Sequence, residues 1–377
     1  MKVYPRGLTL TAGNRLPVAK GPDMAFEIGI FTFGEVTADL ATRMIPSPQQ
    51  RMRDTLEQAV LAEQAGLDVF GVGEHHRSDF VASAPPVILA AVAAVTERIR
   101  LTSAVTVLSS ADPVRVFQDF ATLDLISGGR AEILAGRGSY SESFPLFGNA
   151  LEDYADLYSE KLDLLMQIRD RNPISWTGRF RSDLVEADIA PRPMQDLLPV
   201  WVALGGSPAS AVRAGTLGLP LALAILFSPI DYHQRNVALY RQAAVEAGHD
   251  PATMPVSVSA HGFVAATSQH ARDVMFPYFS TGMNENNHQR GKPFNLPQRA
   301  FDAMASPAGG LLVGSTQEVI DKILAYDDLY GLSRVNLQMG FGGVPQAEHL
   351  KAIELLGTEV APVVRREIAS RTRATAA

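Results

Sequence analysis

Three short segments between residues 67 and 140 decide the fold: LDVFGVGEHH (Leu67–His76), IRLTSAVTVLSS (Ile99–Ser110) and AEILAGRGSY (Ala131–Tyr140). Each opens as an apolar run of strand length and closes on residues that can do chemistry. These are Glu74, His75 and His76 in the first, Ser109 and Ser110 in the second, and Gly136, Arg137 and Gly138 in the third. Helix-like runs separate them. This rhythm predicts a parallel sheet backed by helices, with ligands at the strand C-terminal edge, where loops converge and helix N-termini present free N–H groups.

Working outward, the helix between the first predicted strand (Phe26–Phe33) and Leu67 spans Gln49–Gly66. Met52, Leu56, Ala59 and Val60 share a face of it, Glu63 interrupts that stripe and Gly66 stops the helix. The next, from Pro86 to Glu97, is apolar nearly all round and is expected to be buried on two sides, against the sheet and against a partner subunit. The third has Asp112 as N-cap before Pro113 and ends at Gly128-Gly129. After Ala135 comes an insertion over 138–198, holding a helix from Leu151 to Asp170 and a hairpin around Trp176, Gly178 and Phe180.

Strands resume at Val200–Leu204, Leu221–Leu226, Val256–Ala265 and Val335–Met339, with a helix over Pro208–Leu217. Residues 268–310 carry four prolines and no clean periodicity, and read as a long lid loop with Phe276, Tyr278, Phe279 and Phe294 as its aromatic supply. Eight strands alternating with helices predict an α/β fold, a (β/α)8 TIM-like barrel with insertions after strand four and strand seven. A doubly wound fold would want G-x-G-x-x-G after its first strand, which instead ends Phe31-Thr32-Phe33-Gly34-Glu35. Residues 1–23 are expected to be a disordered extension and 24–377 a single barrel domain.

Bulk properties narrow the function. With 33 basic and 40 acidic residues among 377, the formal charge of −7 argues against a nucleic-acid surface, and a small molecule is the expected partner. The absence of cysteine excludes disulfides, thiolate metal sites and a cysteine nucleophile, and makes the cytoplasm the expected compartment. No run of signal-peptide or membrane-spanning character occurs, so no membrane is expected.

Alternation at the end of the first segment sends His75 and His76 to opposite faces, so one of them can enter the barrel mouth as an acid–base group. The plainer reading is that Glu74 simply satisfies one of them. A metal site would need three or four convergent ligands, and the remaining histidines, at 233, 249, 261, 270, 288 and 349, are scattered. No metal is predicted. Arg137, between two glycines, offers a planar fork to phosphate, the alternative being an ion pair with Glu132 or Glu142. A second anion feature is Gly205-Gly206-Ser207-Pro208-Ala209-Ser210, a glycine turn opening a helix. Phe341, among Gly340, Gly342 and Gly343, either lines an aromatic ligand's pocket or plugs the barrel top. Gly314-Ser315-Thr316 reads as a helix N-cap.

Taken in order, Glu74-His75-His76, Ala111-Asp112-Pro113-Val114-Arg115, Gly128-Gly129-Arg130 leading to Gly136-Arg137-Gly138, and Val202-Ala203-Leu204-Gly205-Gly206-Ser207 resemble the luciferase-like flavin-dependent monooxygenases. The resemblance runs from Phe26 to Ala369 and is strongest over 67–140. It implies a barrel that binds reduced FMN with its phosphate near Arg137, Ser207 and Ser210, at the Gly205-Gly206 turn. It also implies a non-prolyl cis peptide at Ala104-Val105 against the flavin ring, and His75, with Glu74 beside it, as the catalytic histidine. The substrate pocket is expected to include His76, Tyr140, His261 and Phe341. The resemblance further implies O2 as co-substrate and dimerisation through the second and third helices. Because no pyridine-nucleotide fingerprint is present, a separate flavin reductase is expected. Gly206 stands where luciferase itself carries an acidic residue, which argues against light emission. Two alternatives share the fold: an F420-dependent dehydrogenase, and a non-catalytic flavin-binding protein. The trio Glu74, His75 and Arg137 argues against the second.

Overall fold

The computed structural model describes residues 25–138, 140–289 and 295–376. Its strands are β1 (Glu27–Thr32), β2 (Val69–Val72), β3 (Arg100–Ser103), β4 (Thr106–Val107), β5 (Ala131–Gly136), β6 (Ile174–Trp176), β7 (Leu184–Ala187), β8 (Val200–Leu204), β9 (Leu221–Ile225), β10 (Val256–Ala265), β11 (Leu312–Ser315) and β12 (Arg334–Gln338). Parallel pairing runs β12, β1, β2, β3, β5, β8, β9, β10 and back to β12, closing the eight-stranded barrel that the sequence predicts. The third barrel strand, read as one run over Ile99–Leu108, is in fact two pieces. The Ala104–Val105 peptide bond is cis, and β4 continues beyond it against β5.

Helices α1 (Pro48–Gln64), α2 (Pro85–Ala93) and α3 (Pro113–Ser127) link the first four barrel positions. The insertion after β5 holds α4 (Ser143–Leu146), α5 (Tyr154–Asp170) and the antiparallel hairpin β6–β7, while α6 (Pro208–Thr216) and α7 (Gln234–Glu246) follow β8 and β9. Local chemistry fixes the boundaries. Asp112 accepts from the N–H groups of Val114 and Arg115, Ser315 accepts from Glu318 N, and Gly128 ends α3 at φ 68°. Glu63, which breaks the apolar stripe of α1, receives the N–H groups of Glu97, Arg98 and Ile99 at 2.6–3.0 Å and so anchors the start of β3. The buried face of α1 is Arg51, Thr55, Gln58, Ala59 and Ala62, one step round from the expected Met52–Leu56–Val60 stripe, which lies half-buried at its flank.

After β10 the sequence expectation is corrected. Residues 268–289 are not a loop but a long helix, α8 (Ser268–Gln289), followed by α9 (Gln298–Ala305), β11 beside the upper end of β10, and α10 (Thr316–Tyr330) leading to β12. Ala271, Met275, Tyr278, Phe279 and Gly282 are buried at helical spacing, and they outweigh the one hydrogen bond that Pro277 forfeits. Phe276 and Phe279 pack on Phe301 of α9, so these aromatics are core anchors. Phe294 and residues 1–24 lie outside the described residues. Helices α11 (Gln346–Leu355) and α12 (Ala361–Ala376) close the chain.

Register also orders the barrel interior. At its lower end, the Arg334 guanidinium bonds Glu132 and, at 2.6 Å, Glu27, and lies 4.5 Å over the Trp201 ring; Arg100 adds contacts of 3.5 and 3.8 Å to Glu27 and Glu132. Above it Leu134, Trp201 and Ala222, with Val105 and Ala203, form a small apolar cluster separate from the main core between strands and helices. Higher still, Phe31, Gln338 and His261 share one register row.

Candidate active site

At the C-terminal end of β2 the chain needs Gly73, because a Cβ there would come within about 2.0 Å of the Phe33 ring. That closeness lets Phe33 stand beside His75, at 4.7 Å between ring centroids; Phe80 at 4.4 Å and Tyr140 at 4.7 Å complete an aromatic box around the imidazole. His75 is buried, and its Nδ1 lies 3.3 Å from Glu142 Oε1, on the residue before α4. Burial pushes the Glu142 carboxyl upward, but the bond to His75 and the charge of Arg77 outweigh it and hold the carboxyl below its ordinary value. An ionised carboxylate only accepts, so Nδ1 is the donor, which in the neutral imidazole leaves the lone pair on Nε2. Sequence reading missed this orienting role of Glu142; its spacing from His75 carries no signal.

Glu74 and His76 form the other face. His76 Nε2 lies 2.8 Å from Glu74 Oε1, and Glu74 Oε2 accepts from Val107 N at 2.9 Å, tying the end of β2 to β4. The plainer reading therefore holds for His76, whose ring packs on Phe147 rather than in the His75 box. Next along, Arg77 is paired with Asp79, held between the Phe80 and Tyr140 rings, and donates to Asn286 of α8 at 3.1 Å.

The anion features come together at the ends of β5 and β8. Among the described residues Arg137 meets no carboxylate, since Glu132 is taken by Arg334 and Glu142 by His75; its guanidinium lies 5.2 Å from the Tyr154 ring centre. Tyr154 donates to Gly138 O at 2.6 Å and Tyr158 to Ala135 O at 3.2 Å, which fix the backbone on both sides of Arg137. Burial drives the Tyr158 hydroxyl strongly upward, opposed by the charges of Arg213 and Arg137, so a second guanidinium stands near from α6. Sequence reading missed Arg213, one helical turn beyond Ser210. Nothing lies within 4 Å of where a side chain on Gly205 would stand, Gly206 needs φ 134°, and the Ser207 hydroxyl makes no cap bond. Ser210 is buried behind it.

Between these groups the barrel wall is built of small side chains. Ala104, Val105, Ala203 and Ala224 stay partly exposed although they sit on or beside central strands, and at Gly136 a Cβ would strike Val105 at 2.5 Å. Of these, Val105 and Ala203 pack on the small apolar cluster of Leu134, Trp201 and Ala222.

His261 and Phe341 form a separate group, 4.5 Å apart between ring centroids and joined by Phe227 and Phe279; no ring contact among the described residues links them to His75. Phe341 is buried against these rings. Among the described residues no three His, Asp or Glu side chains converge as a metal ion requires, and no helix is long and apolar enough to cross a membrane.

Comparison with known proteins agrees with this geometry. Residues 26–332 match the family described as luciferase-like monooxygenase. The alkanal monooxygenase alpha chain of the Kryptophanaron alfredi symbiont is 24% identical over 85% of this chain and 96% of its own length. Among solved structures, monooxygenase RslO1 from Streptomyces bottropensis superposes with a TM-score of 0.76 at 25% identity, covering 89% of this chain and 99% of that one. The oxygenating constituent of 3,6-diketocamphane monooxygenase from Pseudomonas putida, a type II Baeyer-Villiger monooxygenase in complex with FMN, does so with 0.69 at 23%, covering 90% and 98%. F420-dependent enzymes are among the matches as well. With its barrel and the matched span together, the chain belongs to the luciferase-like monooxygenase family of oxygen-using oxidoreductases.

Proposed function

We propose that the protein binds reduced FMN in the barrel mouth and uses O2 to oxidise a small organic substrate. One observation carries this: a single strand-end rim holds both an oriented, boxed imidazole and, beside an open glycine turn, an arginine that meets no carboxylate among the described residues. The residues fit the cofactor. Arg137, Ser207, Ser210 and the N–H groups after Gly205-Gly206 would hold the phosphate, and the small, partly exposed side chains of Ala104, Val105 and Ala203 would face the flat ring system. Tyr232, whose hydroxyl lies 3.0 Å from where a Gly206 side chain would stand, favours a cofactor that ends at its phosphate over F420 with its longer acidic tail.

Bound there, reduced FMN supplies the electrons for oxygen chemistry. The chain's own residues do the rest. Arg137 orients the phosphate as a fork; Glu142 holds His75 through Nδ1–H, which leaves Nε2 to take or return a proton. Phe33, Phe80 and Tyr140 exclude water from that nitrogen, and the Arg77–Asn286 contact draws α8 toward the rim. Reduced flavin arrives from a separate reductase, and Val87, Leu125 and Ile126, apolar and about half or more exposed on α2 and α3, pair two copies into a homodimer.

The test is an anaerobic titration with reduced FMN and, separately, reduced F420, followed by air with oxygen uptake and absorbance recorded. Tight binding of FMN with oxygen consumption supports the reading. Selective F420 binding without uptake moves the protein to hydride transfer, and binding of neither leaves a non-catalytic protein.

A further inference from the structure

His261 is an anomaly. Its imidazole is 2% exposed, and among the described residues neither Nδ1 nor Nε2 has a hydrogen-bond partner, whereas the large majority of buried polar side chains do. Three phenylalanines surround it. Phe279 meets it edge-on at 5.3 Å and Phe341 lies tilted against it at 4.5 Å, and these two also pack on each other at 5.3 Å, both buried. Phe227 differs: it lies nearly flat on the imidazole, at 5.3 Å and 28°, yet it is 40% exposed, two residues beyond β9. The cage thus has two fixed walls and one cover facing solvent.

We propose that His261 is a substrate-positioning residue, reached when Phe227 swings aside, and that it selects an uncharged, ring-bearing substrate through a keto or hydroxyl oxygen. This rests on the monooxygenase reading above. Burial holds the imidazole neutral, with a pKa down to about 3, so it offers one donor and one acceptor and no charge to offset a carboxylate, sulfonate or phosphate. The phenylalanine walls supply no charge either. An oxygen function satisfies the imidazole, its ring system takes over the stacking surface that Phe227 covers, and an anion would enter without compensation.

The test uses equilibrium dialysis of three probes, 1-tetralone, tetralin and 1-naphthoate, against the FMN-loaded protein and its His261→Phe, His261→Gln and Phe227→Ala variants. The wild type is expected to bind tetralone at least tenfold more tightly than tetralin and to reject naphthoate. His261→Phe should erase the preference for tetralone, His261→Gln should restore part of it, and Phe227→Ala should tighten tetralone binding, because no ring has to be displaced first. An undiminished tetralone preference in His261→Phe overturns the proposal, as does strong naphthoate binding or no tetralone binding to the wild type. If His261→Phe does not fold, a tetralone affinity in His261→Gln no higher than its tetralin affinity overturns it instead. The same dialysis on flavin-free protein separates the readings: failure to retain FMN while the probe pattern stands removes the cofactor assignment alone.

Discussion

The two ends of the barrel interior use the same residue types for opposite purposes. At the lower end Arg334 and Arg100 are spent on Glu27 and Glu132, an ion layer closed by the face of Trp201. At the upper end Arg137 stands beside a tyrosine and, among the described residues, meets no carboxylate, while His75 uses its carboxylate partner for orientation. Charge that is neutralised internally holds the barrel; charge left open is available to a ligand. This is the stability face and the functional face of a parallel barrel, distinguished by where the counter-charges go.

Substitutions break this contrast in order of size. His75→Ala should cut oxygenation of any identified substrate by about 10²–10⁴-fold, the range of lost acid–base catalysis, while reduced FMN still titrates as in the wild type. Unchanged turnover would remove His75 from the reaction. Arg334→Met should cost ~3–5 kcal/mol in urea unfolding, because buried Glu132 is left with only the 3.8 Å contact to Arg100. Stability equal to the wild type would mean that the ion layer is dispensable. Arg137→Ala, by contrast, should leave the unfolding midpoint in place and weaken FMN by ~1–3 kcal/mol, with riboflavin unaffected. Equal wild-type affinity for riboflavin and FMN would refute the phosphate assignment.

The smallest effect concerns acid. The folded carboxyl of Glu142 lies below its ordinary value of 4.5, so its contribution to stability is present above that value and lost as pH falls through the depressed folded one. Glu142→Gln should therefore flatten the acid limb of the stability profile below about pH 4.5, and an unchanged limb would show that the His75 contact contributes nothing.

What was legible in the sequence follows the same division. Strand ends, caps and glycine turns are local, and they gave the barrel, the Asp112 and Ser315 caps and the clustering of Arg137 with the Gly205 turn. Two kinds of feature escaped. Partnerships across long separations, Glu142 with His75 and Arg334 with Glu132, leave no periodic trace. The α8 stripe was hidden by Pro277 and the polar run after Gly282, although its buried positions recur at helical spacing once the packing against Phe301 and Phe341 is known.

The chain has two tryptophans: Trp201 in the barrel interior and Trp176 in the β6–β7 hairpin. Its interior position makes Trp201 a built-in optical reporter. Indole emission overlaps flavin absorption, so a flavin bound at the barrel mouth would drain Trp201 fluorescence by energy transfer. In a Trp176→Phe background a stopped-flow trace of that quenching would time cofactor arrival and departure directly, with no label attached.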